Sequence, residues 1–279
     1  MGFRHSETDN PAAGTTTMVP MPVYIAIAGG SAVGKITLVG TEAGVGVRNA
    51  GTLGAAAGDV VVTADGRLTN SGSLSSSGAI HVAAGGGIAN TGTVYAQGDL
   101  VLNTPAAIDN AHGTLVANGN VDVRAAGLDN TQGTLGSALG NVAVDTGTGA
   151  IDNRGGMIVA ALDVSLKTQG LNNTDATIAG RDVGIDTQRQ LFDNSRGILA
   201  AERALDVRSG ALTNAGGLIQ AGGMASFATT TFDNTAGFIG AQGPLDIAAS
   251  ALGNAGGLIR SRNAVHLAAD SVDNRNTQG

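Results

Sequence analysis

The chain has 279 residues, 45 glycines, no cysteine, 3% aromatic side chains and a formal net charge of −7 at pH 7. Lack of cysteine excludes disulfides and thiolate metal sites, and the acidic balance argues against a nucleic-acid surface, which needs clustered Lys and Arg. Glycine at about one residue in six without a Gly-X-Y period excludes collagen, and no apolar run reaches the length of a membrane-spanning helix.

Residues 1–34 stand outside any repeat and form the first of two expected regions. Residues 1–17 are polar and rich in Ala, Gly and Thr, which predicts disorder. Pro20 to Ala28 is a short apolar run followed by Gly29-Gly30-Ser31, similar to the end of a signal peptide, but Glu7 and Asp9 outweigh Arg4 and no basic cluster adjoins it. Gly29-Gly30-Ser31-Ala32-Val33-Gly34-Lys35 comes close to a phosphate-binding loop. Ile36 stands where the magnesium-binding hydroxyl belongs, and Ile36-Thr37-Leu38-Val39 alternates like a strand where a helix should begin. No cofactor is expected.

Residues 35–279 form the second region, which is marked by one recurring asparagine: Asn49, Asn70, Asn90, Asn110, Asn130, Asn153, Asn173, Asn194, Asn214, Asn234, Asn254 and Asn274. All intervals are 20 or 21 residues except 23 between Asn130 and Asn153, and an apolar residue lies two positions before each asparagine. A fixed period of this length is the signature of a solenoid. Each repeat breaks into three short alternating pieces, as in Leu205-Asp206-Val207, Leu212-Thr213-Asn214 and Leu218-Ile219-Gln220. That is strand spacing. The expected architecture is all-β: a right-handed parallel β-helix of about 12 turns of 20–21 residues.

The asparagines are assigned a structural role. Stacked ~4.8 Å apart, they would bond amide to amide along the axis, and each would take the left-handed backbone conformation at its corner. The corner should widen by one residue from about Asn110, where a residue is inserted before the glycine. The 23-residue interval should bulge near Thr146-Gly147-Thr148-Gly149.

The inward pairs of the middle strand are read as Val121 and Val123, Val142 and Val144, Leu162 and Val164, Val183 and Ile185, Leu205 and Val207, with equivalents in other turns and a weak turn at Ala225 and Phe227. Phe192, Phe227, Phe232 and Phe238 are read as inward. The outward row between these pairs runs Asp122, Ala143, Asp163, Gly184, Asp206, Ser226, Asp246, His266. Arg124 is expected to pair with Asp145, and Asp186 with Arg208, on a solvated face.

No catalytic or metal-binding group emerges. His5, His81, His112 and His266 are scattered, and no turn carries a long insertion. The alternative is a carbohydrate-active β-helix, a polysaccharide lyase or hydrolase, with Asp163, Asp206 and Arg208 lining a groove.

Gly34 to Gly51, including Gly34-Lys35-Ile36-Thr37-Leu38 and Val47-Arg48-Asn49-Ala50-Gly51, followed by repeats such as Leu128-Asp129-Asn130-Thr131-Gln132-Gly133, resembles the filamentous haemagglutinin family of two-partner-secretion exoproteins. The resemblance implies a secreted or outer-membrane-surface location on a Gram-negative cell. It also implies an outer-membrane transporter as partner of the full-length protein and contact with a host or neighbouring-cell surface. The role it implies is that of an adhesin, or a stalk carrying a toxin in contact-dependent growth inhibition. Residues 1–34 do not match the family's run-in, no secretion or toxin domain is recognisable, and the expectation is an internal piece of a larger exoprotein or a remnant reading frame. End-to-end or edge self-association is expected if the terminal strands are uncapped.

Overall fold

The computed structural model describes residues 24–27 and 30–277. Among them are 35 strands and no helix. Every pairing joins a strand to its equivalent in the adjacent turn, parallel and in register. Leu205 pairs with Val183 on one side and Ala225 on the other, for example, and Ile219 pairs with Leu199 and Ile239. One sheet has twelve strands, one per turn, and a second holds the remaining strands of every turn. The molecule is a parallel β-solenoid of about twelve turns, roughly 53 Å from first to last at ~4.8 Å per turn.

Among the described residues the stack begins at Tyr24, ahead of the boundary read at residue 35. Strand Tyr24–Ile27 pairs with Gly46–Asn49, and Gly30–Val33 pairs with Thr52–Ala55. Ile27 is the register partner of Asn49. This first turn therefore carries isoleucine where every later turn carries asparagine, so the recurrence starts one turn after the strands do. The disorder expected over residues 1–17 lies outside the described residues, as does most of the signal-like run.

Period-two alternation turns one set of side chains inward. Val183, Leu205, Ala225 and Leu245 form one ladder, and Ile185, Val207, Phe227 and Ile247 a second, all at most 3% exposed. Each such aliphatic chain contributes about 1.5–3 kcal/mol on full burial, and it needs a turn above and below to be covered. The turn expected to be weak is repacked rather than loose. Ala225 is fully buried, and the volume it gives up is taken by Phe227 and Phe232, whose ring centres lie 5.3 Å apart at an interplanar angle of 51°. Where no turn lies above, the inward rows are open: Val265, Leu267 and Val272 are 47%, 44% and 50% exposed.

One turn departs from the expected register. The strand is Val164–Lys167, with Val164 paired to Val142 and Leu166 to Val144. The inward pair is thus Val164 and Leu166, not Leu162 and Val164. Leu162, Val164 and Leu166 alternate without a break, so a slip of two residues keeps every side chain on its own face. Corner length, not hydropathy, selects the register. In the preceding turn the 23-residue interval is absorbed partly by the turn at Thr146 to Gly149, closed by the Gly149 N–H on the Thr146 carbonyl at 3.0 Å, with Gly147 at φ +57°.

Candidate functional site

The asparagines end a short strand, as in Leu68–Asn70, or directly follow one, as Asn110 follows Ile108–Asp109, and they lie on the inward side of the alternation. They are nearly or fully buried from Asn49 to Asn254. Each Nδ2 donates to the Oδ1 of the next asparagine at 2.7–2.8 Å, eleven times in unbroken succession from Asn49 to Asn274. The second N–H is shared among nearby carbonyls: Asn110 Nδ2 lies 3.2 Å from the oxygens of both Gly113 and Thr134. A buried amide without such partners would cost about 1–3 kcal/mol for each orphaned group.

The left-handed residue of the corner is not the asparagine. It stands two positions later: His112, Gln132, Gly155, Asp175, Arg196, Gly216, Ala236, Gly256 and Asn276 have φ between +54° and +66°. The asparagine itself is not left-handed, and its side chain turns inward to the ladder. The inserted residue beginning at Asn110 makes room for a four-residue turn, closed by bonds such as Gly217 N to Asn214 O at 3.0 Å. Positive φ at the third position is the requirement of a type II turn.

The fourth position is glycine for a different reason. A Cβ on Gly217 would overlap the backbone oxygen of Asn194 and the Oδ1 of Asn214. Ala176 and, in the last turn, Thr277 stand there instead, and the corner at Ala176 opens to accept the methyl. The closing Ala176 N to Asn173 O bond is 3.2 Å, against 2.9–3.0 Å at the glycine corners.

Outside, the middle strands carry the charge. The register places Asp122, Ala143, Ser165, Gly184, Asp206, Ser226, Asp246 and His266 in one row. Asp163 is not in it. Asp163 lies in the preceding corner and binds Arg181 at 2.9 Å. The group of Asp163, Asp206 and Arg208 is therefore not assembled.

Arg124 and Asp145, and Asp186 and Arg208, are backbone neighbours, but each arginine turns to the aspartate two residues back on its own strand: Arg124 to Asp122 at 3.1 Å, Arg208 to Asp206 at 3.0 Å. Such a partner is on the same face with a fixed spacing. Corners hold a second set. The Arg196 guanidinium bonds both oxygens of Asp175, 2.7 and 2.6 Å, and holds that carboxyl below its ordinary range. Asp182 is held low in the same way, first by Arg203 and then by the Ala204 N–H.

A shallow groove of about 1000 Å³ runs along the axis over Asp186, Arg208, Ser209, Thr229 and Asp270. Upstream, Thr146 Oγ1 donates to Gly149 O at 2.7 Å and Thr187 Oγ1 to Gln190 O at 2.6 Å. The equivalent Ser209 and Thr229 hydroxyls lack partners, because the corner that supplies the carbonyl has shortened to Ser209–Gly210 before strand Ala211–Thr213. Asp186 and Asp270 stand four turns apart, about 19 Å. Paired carboxylates for glycoside hydrolysis need ~5–10 Å. No group of three His, Asp or Glu among the described residues has metal-site geometry.

Alternation from the corner also places Phe238 outside. Ile239, not Phe238, joins the inward ladder and is fully buried. Phe238 belongs instead to an outward apolar row with Ile198, Leu218 and Leu258 on the twelve-stranded sheet. The adjacent pair Phe238-Ile239 says that one residue is inside without saying which. The fixed distance from Asn234 was the signal that decides it.

Parallel strands stacked turn on turn and a continuous amide ladder define the class as a β-solenoid. Within that class the chain belongs to the haemagglutinin repeat family, whose repeat matches residues 12–72, 55–111, 105–155, 137–194, 182–235 and 224–278 in overlapping succession. It is also 49% identical over 73 residues to the protein named Toxin CdiA of Yersinia pestis, a match covering 26% of this chain and 2% of that protein. No solved structure matches.

Proposed function

We propose that this chain is a rod segment of a large secreted or cell-surface haemagglutinin-type exoprotein, structural and adhesive in role and without catalysis of its own. The observation that carries the reading is the unbroken series of eleven asparagine–asparagine hydrogen bonds. A ladder of this kind fixes every turn to the next and gives a straight, stiff element that holds other parts at a set distance. The partial match to a CdiA toxin supports presentation of a toxic domain to a neighbouring cell, with a host or bacterial surface as the contacted partner. Export would use an outer-membrane two-partner-secretion transporter. The exposed Val265, Leu267 and Val272 offer a face on which a further turn or a second copy stacks end to end.

The test is an in-frame deletion of residues 24–277 in the source strain, with surface filaments measured by electron microscopy and attachment to neighbouring cells counted. The expected result is a filament shorter by about 58 Å, twelve strand spacings, with reduced contact-dependent attachment. Unchanged filament length, or turnover of a polysaccharide by the purified chain, would overturn the proposal.

A further inference from the structure

One cleft on the twelve-stranded sheet combines features that the rest of the rod keeps apart. It has a volume of about 150 Å³ and is lined by Gln220, Phe238, Gln242, Arg260 and Arg262, with Gly240 at its floor. This is below the ~300–1,000 Å³ typical of drug-sized ligands, so it admits a single ring-sized unit.

The Phe238 ring lies across the space that a side chain at position 240 would occupy: a Cβ on Gly240 would be 2.7 Å from the ring. The Arg260 guanidinium sits over that ring, 5.0 Å from its centre. Stacking of this kind fixes the plane of the guanidinium and leaves its edge donors free.

The charge around the cleft is uncompensated. Among the described residues, nine Lys and Arg reach an aspartate within 4.0 Å. Arg260 and Arg262 do not, although both line the same cleft and are exposed. The acid in the corner row leading to Arg262 is Glu202, three turns or about 14 Å away. Two cations converging without a counter-charge, on a chain of net charge −7, call for an anion from elsewhere. A planar guanidinium fork matches a planar carboxylate in bidentate fashion. The exposed Gln220 and Gln242 amides can donate to and accept from hydroxyls, and the Phe238 ring supplies an apolar wall.

We propose that this cleft binds a carboxylated sugar residue, with Arg260 and Arg262 on the carboxylate and Gln220 and Gln242 on ring hydroxyls. The proposal does not depend on the rod reading, because it concerns the isolated chain in solution.

The experiment is a titration of the isotopically labelled chain with methyl glucuronide, N-acetylneuraminate, methyl glucoside, glucose 6-sulfate and acetate at matched ionic strength, followed by backbone amide shifts. Expected are saturable shifts confined to residues 218–222, 238–242 and 258–262 with a carboxylated sugar, at least tenfold weaker binding by Arg260→Gln, and none with the neutral glucoside. Arg196→Gln, on a different corner, should bind as the parent does. Absence of saturable shifts with both carboxylated sugars would overturn the site. Equal binding of acetate would reduce it to a bare anion site, and tighter binding of the sulfated sugar would overturn the assignment to a carboxylate.

Discussion

Replacing Asn194 tests whether the ladder is a source of stability or a by-product of register. Its Oδ1 accepts from Asn173 Nδ2 and its Nδ2 donates to Asn214 Oδ1, both at 2.7 Å, in a fully buried position. Asn194→Ala leaves the Asn214 acceptor without that donor. It leaves the Asn173 amide with only the carbonyls of Ala176 and Ile198, at 3.4 and 3.3 Å. At about 1–3 kcal/mol for each stranded buried group, the loss should be roughly 2–5 kcal/mol. A long solenoid need not unfold as one unit, so the assay is amide hydrogen exchange resolved by peptide. Protection should fall roughly 30-fold or more in the turns holding Asn173, Asn194 and Asn214, and little near Asn70. Asn194→Asp adds a sign. A buried carboxylate has no proton to give Asn214, so burial raises its pKa above the unfolded value. The variant should be most stable below the unfolded carboxylate pKa of ~3.9 and lose stability as pH rises above it. Asn194→Ala should lack this added pH dependence. Protection unchanged in both variants would refute the reasoning.

Gly217→Ala should cost about 1–3 kcal/mol by forcing the same opening seen at Ala176, read as a lower denaturation midpoint. Ala176→Gly should change the midpoint by no more than about 1 kcal/mol, because the relief of crowding is offset by glycine's greater chain entropy. Ala236→Gly removes a Cβ from a left-handed residue at φ +54° and should stabilise by up to about 1 kcal/mol. The carboxyls of Asp175 and Asp182, both held low by arginine, contribute stability that is present above the unfolded pKa and lost as pH falls through their lowered folded values. A double Asp175→Asn, Asp182→Asn variant should therefore show a flatter acid limb in a thermal melt followed from pH 5 to pH 2.

The amino-acid pattern reaches some features of this rod and not others, for physical reasons. Strand type, parallel stacking and the number of turns follow from a recurrence that any reader can count, because one asparagine per turn must meet its copy in the next. Register within a turn is less accessible. Leu162, Val164 and Leu166 satisfy two alignments equally, and only the length of the corner between Ala160 and Val164 separates them. The first turn is hidden because Ile27 stands at the ladder position. Intrinsic preference points to Asn itself as the left-handed position, because asparagine tolerates that conformation. The structure instead gives the strain to whatever residue stands two places on, arginine and alanine included, since turn closure rather than intrinsic preference decides it. Backbone register alone pairs Arg124 and Arg208 with aspartates across the turn, whereas these two flexible side chains find the aspartate on their own strand.

The division between inside and outside explains why this fold specifies a rod so firmly and a partner so weakly. Inside, every position is tied to the turn before and after it, so one residue's size constrains two others. Ala225 can be small only because Phe227 and Phe232 of the same turn are large. Aromatic side chains are scarce in such an interior because a ring stacked at the strand spacing must displace volume elsewhere in its turn. Outside, a row such as Asp206, Ser226, Asp246 and His266 has no such tie, and its members vary from turn to turn without disturbing the stack. Recognition chemistry can therefore be written on the outer face of a few turns, as at Phe238, Arg260 and Arg262, while the remaining turns continue the same inner ladders. A local cleft and a long uniform spacer are two uses of the same constraint.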